Sequence, residues 1–223
     1  MEKDLSSNFL NDIYNDSLAA FRKNYSCQHV LLNLSDTWRQ HKECGKIPGI
    51  LLADLSKAFD CLPHSLIISK LVAYGFDTNS VNLLTDYLSH RPQRVKTGGA
   101  VSPWSVILKG VPQGSIMGPV IFYIFMNNVF LSDLKGDIFN YADDTSVLVN
   151  GTSKDEVVNK LTESTKEIIN WCNTNQMEAN PAKFQAMIAD ETTPSTINIT
   201  ETETIYTEIS VKLLSETPRC KSG

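Results

Sequence analysis

Ile138-Phe139-Asn140-Tyr141-Ala142-Asp143-Asp144-Thr145-Ser146-Val147-Leu148-Val149 is an apolar run interrupted at its centre by two adjacent acids. Such a run fits two strands joined by a tight turn. Carboxylates this close raise each other's pKa unless a cation or a hydrogen-bond network compensates them. Taken alone, an ordinary Asp-Asp turn accounts for the pair as well as a metal site does. A third acid changes the weighing. Ile50-Leu51-Leu52-Ala53-Asp54-Leu55 reads as a short buried strand ending in an acid, with Ser56-Lys57-Ala58-Phe59-Asp60 after it. If the two strands are neighbours in one sheet, their acids converge. Three carboxylates suit two hard cations, because Mg²⁺ takes oxygen ligands at about 2.1 Å and leaves room for water and phosphate. With two ions about 3.5–4 Å apart, one activates an attacking oxygen and the other stabilises a leaving one.

Outward from these strands, Val30, Leu31, Leu34 and Trp38 recur at helical spacing and predict an amphipathic helix from about Ser26 to Gln40. Gly45 to Gly49 is expected to break it. Leu66, Ile67, Leu71 and Tyr74 mark one short helix, and Val81, Leu84 and Leu88 another. Val95 to Leu108 alternates loosely around Gly98-Gly99, a hairpin leading into Gly110-Val111-Pro112-Gln113-Gly114. That loop opens an apolar stretch, Ile116 to Leu131, read as one buried core helix. It holds Pro119, Asn127 and Asn128 and is shorter than the ~20 residues a bilayer requires. Ser153 is placed as an N-cap, with Asp155 and Glu156 in the first turn of a helix carrying Val157, Leu161, Ile168 and Trp171 or Cys172. Phe184 to Ala189 is strand-like, and β-like alternation returns near Ile197 and from Ile205 to Val211. The order predicts an α+β domain, a largely antiparallel sheet packed on helices.

The formal net charge of -5 is unexpected for a chain that grips a phosphate backbone, so any such surface must be local. The nearest candidate is His90-Arg91-Pro92-Gln93-Arg94-Val95-Lys96, which also reads as a solvated hairpin face. Cys27, His29, His41 and Cys44 have a superficial look of zinc ligands. On one helix, however, Cys27 and His41 stand ~21 Å apart at ~1.5 Å per residue, so no structural zinc is expected. Scattered cysteines and a polar start, without a signal peptide or transmembrane segment, predict a reduced intracellular setting, nucleus or cytoplasm.

Leu52-Ala53-Asp54-Leu55-Ser56-Lys57-Ala58-Phe59-Asp60, Gly110-Val111-Pro112-Gln113-Gly114-Ser115 and Tyr141-Ala142-Asp143-Asp144, in that order, resemble motifs A, B and C of reverse transcriptases. The likeness is to non-LTR, LINE-type (jockey-like) retrotransposon enzymes and runs from about Phe21-Arg22-Lys23 to Leu214. It implies a polymerase palm with partial fingers and no complete thumb. Residues 1–48 would be a partial fingers segment, 49–190 a palm core with 62–109 partly a fingers-like insertion, and 191–223 a C-terminal β segment and divergent tail. Asp54, Asp143 and Asp144 match the metal-binding catalytic aspartates, with the Leu55 carbonyl as a further ligand of Mg²⁺ or Mn²⁺. Leu55, Ala58, Phe59, Gln113 and Gly114 match the nucleotide pocket. Phe59 falls at the steric gate against a 2′-hydroxyl, although a core Phe beside a strand end is physically as comfortable. Lys183 resembles the motif D lysine that protonates the leaving pyrophosphate. Arg22, Lys23, Arg91, Arg94, Lys96 and Tyr141 are candidate template or primer contacts. The implied partners are an RNA template, a DNA primer and a dNTP, with no membrane.

Relatives carry further fingers motifs, a thumb and an upstream endonuclease that this sequence does not display. After Leu214 the sequence leaves the family pattern, so a chain truncated at both ends is expected. The alternative to a polymerase domain is a catalytically inactive retrotransposon remnant acting at most as a nucleic-acid or protein interaction module. A metal-dependent phosphodiesterase using the same acids leaves the Pro-Gln-Gly loop unexplained.

Overall fold

In chain order the elements are α1 (Cys27–Glu43), β1 (Ile47–Ala53), α2 (Ala58–Cys61), α3 (His64–Ala73), α4 (Thr78–Leu88), β2 (Pro92–Gln93), β3 (Lys96–Thr97), β4 (Ala100–Val101), β5 (Ser105–Val106), α5 (Met117–Met126), β6 (Asp137–Tyr141), β7 (Asp144–Gly151), α6 (Lys154–Thr174), β8 (Gln185–Ile188) and β9 (Ser210–Leu213). The computed structural model describes residues 14–22, 24–89, 91–189 and, as backbone, 210–213. Lys23, His90 and the rest of the β segment expected over 191–223 lie outside the described residues. The chain divides into two compact units.

One unit takes residues 17–55, 132–173, 179–189 and 210–213 and is built on a five-stranded sheet of order β6-β7-β1-β8-β9. All pairings are antiparallel except β8 with β9. β1 is central, and its two faces are covered by different helices. Ile50 packs with Phe139 and Leu148, and Val30, Leu34 and Trp38 of α1 lie against that cluster. On the other face Gly49 sits beneath α6, where a Cβ would stand 2.5 Å from Val157 Cγ1. Gly49 therefore belongs to the strand, and the helix break expected from Gly45 to Gly49 is confined to the turn before Ile47. α1 runs from Cys27 to Glu43, close to the expected span, but none of its residues is fully buried.

α6 starts as Ser153 predicts. Its Oγ accepts from the Glu156 N–H at 3.3 Å. The Glu156 carboxylate accepts from Thr152 N–H at 2.8 Å and Thr152 Oγ at 2.9 Å, and meets Lys160 Nζ at 2.8 Å. The Lys160 bond, then those from Thr152, hold this carboxyl down to about 2 from an ordinary 4.5. A depressed carboxyl contributes stability above its unfolded pKa and loses it as pH falls toward the folded one. Amide protection in the first turn of α6 should therefore fall between about pH 4.5 and 2, and Glu156→Gln should remove that pH dependence; a flat profile in the parent chain would contradict this account.

The other unit, residues 14–16, 56–131 and 174–178, packs α3 and α4 with α5 around Ile67, Leu71, Leu84, Leu88, Ile121, Phe122 and Phe125. The apolar stretch expected as one helix is α5 followed by a 3-10 turn, Asn127–Leu131. The change falls where a buried Asn enters the run: Asn127 Oδ1 accepts from Asn15 N–H at 2.9 Å, and its amide nitrogen lies 3.3 Å from the Tyr74 hydroxyl. Lys70 of α3 donates to the Phe125 carbonyl at 2.8 Å and to Asn128 Oδ1 at 2.9 Å, serving the end of α5. Burial pushes its ammonium down to about 7. The expected hairpin is present as two short ladders, β2 with β5 and β3 with β4. Gly98 and Gly99, with φ of 53° and 86°, form its two-residue turn, the conformation that Gly-Gly favours. Among the described residues no helix is long and apolar enough to cross a membrane.

Candidate active site

β-sheet register brings the strand-end acids of the sheet unit together. β1 and β7 pair down to Ala53 opposite Thr145. One step further sets Asp54 against Asp144. On its other side β1 pairs Leu52 with Gln185, and the same register continued sets Asp54 against Lys183. Lys183 Nζ lies 3.3 Å from Asp54 Oδ2 accordingly. Asn180 N–H donates to the Asp54 carbonyl at 3.1 Å, which pins the strand end. Leu55 bridges Ala179 in the arrangement where the hydrogen bonds fall on neighbouring residues, so the bridge does not use the Leu55 carbonyl.

Asp143 lies in the two-residue turn between Tyr141 and Asp144, as the sequence predicts. Ala142, φ 58°, takes the left-handed position where glycine is preferred. Beneath the turn, Asn140 is fully buried, and its amide donates to the Asp144 carbonyl at 3.2 Å and Thr145 Oγ at 3.0 Å. Its backbone N–H donates to the Ser17 carbonyl at 3.1 Å, and its carbonyl accepts from Ala19 N–H at 3.3 Å. Asn140 thus braces the turn, a role its place in an apolar run gives no signal of.

The Asp144 carboxyl is raised above its ordinary value, first by partial burial and then by the charges of Asp143 and Asp54. Among the described residues no three acidic, histidine or cysteine side chains form a finished cation cage. What the site offers is a hard oxygen donor set whose mutual repulsion a divalent cation would relieve, and the residues fit such an ion on that ground. A cation on Asp54 would compete with Lys183 for the same carboxylate. Asp54, Asp144 and Lys183 line an open cavity of about 610 Å³ together with Tyr141 and the α1 residues Val30 and Leu34, and Asp143 is not among its lining residues. Arg22 is engaged within the sheet unit, donating to the Leu18 carbonyl at 3.1 Å with its guanidinium 4.2 Å from the Tyr25 ring centroid.

The remaining candidates lie in the helical unit. Ala58 is buried, with 4% of its surface exposed. Phe59 stacks on Phe122, centroids 4.2 Å apart and planes inclined 16°. Gln113 Nε2 donates to Asp60 Oδ1 at 2.9 Å. The loop that carries it is fixed at both ends. Val111 N–H donates to the Phe59 carbonyl at 3.0 Å and Gly110 N–H to the Leu62 carbonyl at 2.7 Å. Ser115 Oγ accepts from Gly118 N–H at 2.9 Å and so caps the start of α5. Gly114 has φ 79° with open space where a Cβ would be. Arg91 and Arg94 line a second cavity with Lys109, while Lys96 is exposed on β3. Lys109 and the neighbouring Trp104 were not singled out by the sequence, since nothing in their spacing distinguishes them from a solvated hairpin.

Residues 1–214 match the family described as reverse transcriptase (RNA-dependent DNA polymerase). The chain is 28% identical over 192 residues to a probable RNA-directed DNA polymerase from transposon BS of Drosophila melanogaster, covering 80% of this chain and 21% of that protein. To the RNA-directed DNA polymerase from mobile element jockey of Drosophila funebris it is 28% identical over 130 residues, 55% of this chain and 14% of that one. It spans about a fifth or less of the length of both relatives. Among solved structures, telomerase from Candida tropicalis in complex with a TWJ fragment of telomeric RNA superposes with a TM-score of 0.63 at 12% identity, over 85% of this chain and 33% of that one. That likeness shows the fold.

Proposed function

Because the chain belongs to the reverse transcriptase (RNA-dependent DNA polymerase) family, we propose that it carries the nucleotidyl-transfer site of an RNA-directed DNA polymerase, with Asp54, Asp143 and Asp144 as its carboxylates. The observation that carries this reading is the register that sets Asp54 against Asp144 on one side and Lys183 on the other. In the reaction a primer 3′-oxygen bonds to the α-phosphorus of a dNTP as the bond to pyrophosphate breaks, and the incoming base is chosen by pairing with an RNA template.

Asp54, Asp143, Asp144 and the Leu55 carbonyl would hold two Mg²⁺ or Mn²⁺ ions, and the chemistry such ions supply is activation of the attacking oxygen and neutralisation of charge on the leaving one. Lys183 stands beside the carboxylates as the group that gives a proton to pyrophosphate. Phe59, which stacks on Phe122, matches the steric gate against a 2′-hydroxyl, and Leu55, Ala58, Gln113 and Gly114 match the nucleotide-binding residues of the family. Arg22, Lys23, Arg91, Arg94, Lys96 and Tyr141 serve template or primer. The palm core extends over 49–190 in this reading, with 62–109 partly a fingers-like insertion. Catalysis of this kind rests on positioning and charge, which asks for a rigid sheet edge and no covalent intermediate.

Primer extension on an RNA template with dNTPs and Mg²⁺, run beside Asp143→Asn, tests it. Incorporation by the parent chain that disappears in the variant is expected. Salt-dependent binding of an RNA–DNA hybrid by a folded, metal-supplied chain that adds no nucleotide would instead favour the interaction-module alternative.

A further inference from the structure

From Tyr87 to Ser132 the sequence holds Arg91, Arg94, Lys96 and Lys109 and no Asp or Glu, in a chain whose formal net charge is -5. The stretch is net positive because its acids are absent, and the fold gathers three of its cations. Arg91, Arg94 and Lys109 line one open cavity of about 600 Å³ beside the β2–β5 ladder. Arg91 Nη1 is buried and has no hydrogen-bond partner among the described residues, which leaves one of its N–H groups unsatisfied by them. The one carboxylate among the residues lining the cavity, Asp60, already accepts from Gln113 at 2.9 Å.

At the rim, the Arg94 guanidinium carbon lies 4.5 Å from the centroid of the Trp104 ring. Trp104 is nevertheless 61% exposed, among the exposed apolar neighbours Val95, Val101, Val106 and Leu108. An indole this open, steadied by a stacked guanidinium and bordered by cations, has the composition of a stacking platform for unpaired bases. A protein partner would also cover the apolar residues. A stretch bearing four cations and no acid, three of those cations lining one cavity, favours a polyanion over an apolar peptide.

We propose that this surface binds single-stranded nucleic acid, a base stacking on Trp104 while phosphates meet Arg91 and Lys109. The proposal extends the polymerase reading by naming where an unpaired strand is held, yet binding here requires neither nucleotide addition nor a metal ion. A duplex is disfavoured because its bases are already stacked on one another and cannot reach the indole.

Fluorescence anisotropy of a fluorescein-labelled 12-nucleotide oligouridine RNA, titrated with the full chain in EDTA over a salt series, reads this directly. Trp104→Ala should weaken binding about tenfold with little change in salt slope, and Trp104→Phe should restore most of the loss. Arg91→Gln and Lys109→Gln should each lower the slope by about 0.7. Thermal melts matching the parent establish that the variants fold, as expected for a mostly exposed Trp104. Unchanged affinity in Trp104→Ala, or a 12-base-pair duplex bound as tightly as the single strand, overturns the proposal. So does a change in sedimentation of Trp104→Ala with RNA binding intact, which would make the surface a protein interface. Because no dNTP or divalent cation is present, failure of primer extension leaves this result untouched, and failure here leaves primer extension untouched.

Discussion

Asp144→Asn should melt at a higher temperature than the parent chain at pH 7 in EDTA, and it should lose nucleotide incorporation by a thousandfold or more. The two effects have opposite signs for one reason. The folded carboxyl of Asp144 is raised by partial burial and by Asp143 and Asp54. The native state therefore binds a proton more readily than the unfolded chain does, and stability falls as pH rises from the ordinary Asp pKa through the raised one. Above that window the ionised carboxylate works against the fold, and an isosteric amide removes the repulsion. The same negative potential is what a divalent cation would use. Mg²⁺ or Mn²⁺ should accordingly raise the melting temperature of the parent and leave Asp144→Asn nearly unaffected, while removal of a carboxylate that would hold the neutralising cation accounts for a loss of about a thousandfold. Calorimetry with and without cation, beside primer extension, checks both halves. A variant that is less stable than the parent in EDTA, or that still incorporates, would falsify the assignment of Asp144 as a carboxylate poised for a cation.

Gly110→Ala should destabilise the chain by about 3 kcal/mol or more, an effect reserved for substitutions with a definite steric cause. Two causes act together at this position. Its φ is 83°, where an L side chain costs about 1–2 kcal/mol. A Cβ would also stand 2.7 Å from the Asp60 carbonyl oxygen and 2.9 Å from Asp60 Cα, backbone atoms that cannot swing aside. Gly114 supplies the control. Its φ is nearly the same, 79°, but the space is open, so Gly114→Ala should carry only the backbone penalty of about 1–2 kcal/mol. Urea denaturation of both variants separates strain from collision. Equal losses would mean that the loop shifts away from Asp60 without penalty, and that Gln113 is not held where the structure places it.

Close approach therefore belongs to Gly110, whereas Gly114 serves backbone direction. The sequence offered both glycines in the same loop and no way to tell them apart, because the distinction depends on what lies opposite. Strand existence was legible: alternation and apolar runs marked the strands that became β1, β6, β7 and β8, and the turn between Tyr141 and Asp144 fell where two acids interrupt an apolar run. Less legible was the end of α5. An apolar run reads as one helix until a buried Asn127 finds partners in Asn15 and Tyr74, both distant in sequence. Trp104 and Asn140 were invisible for a related reason. A tryptophan in a hairpin and an asparagine in a strand carry no local signature of being an exposed platform or a buried brace.

By itself the sequence determined that strands with acidic ends exist, that a Gly/Pro loop opens an apolar helix between them, and which family the ordered motifs resemble. These follow from local propensity, side-chain periodicity and residue type, which act within a few neighbours. Only the tertiary structure decided that β1 lies between β7 and β8, so that Asp54 meets Asp144 on one edge and Lys183 on the other. Pairing partners are chosen by burial of both faces of β1, beneath α1 and α6, and register follows because a slip by one residue would turn every core side chain outward.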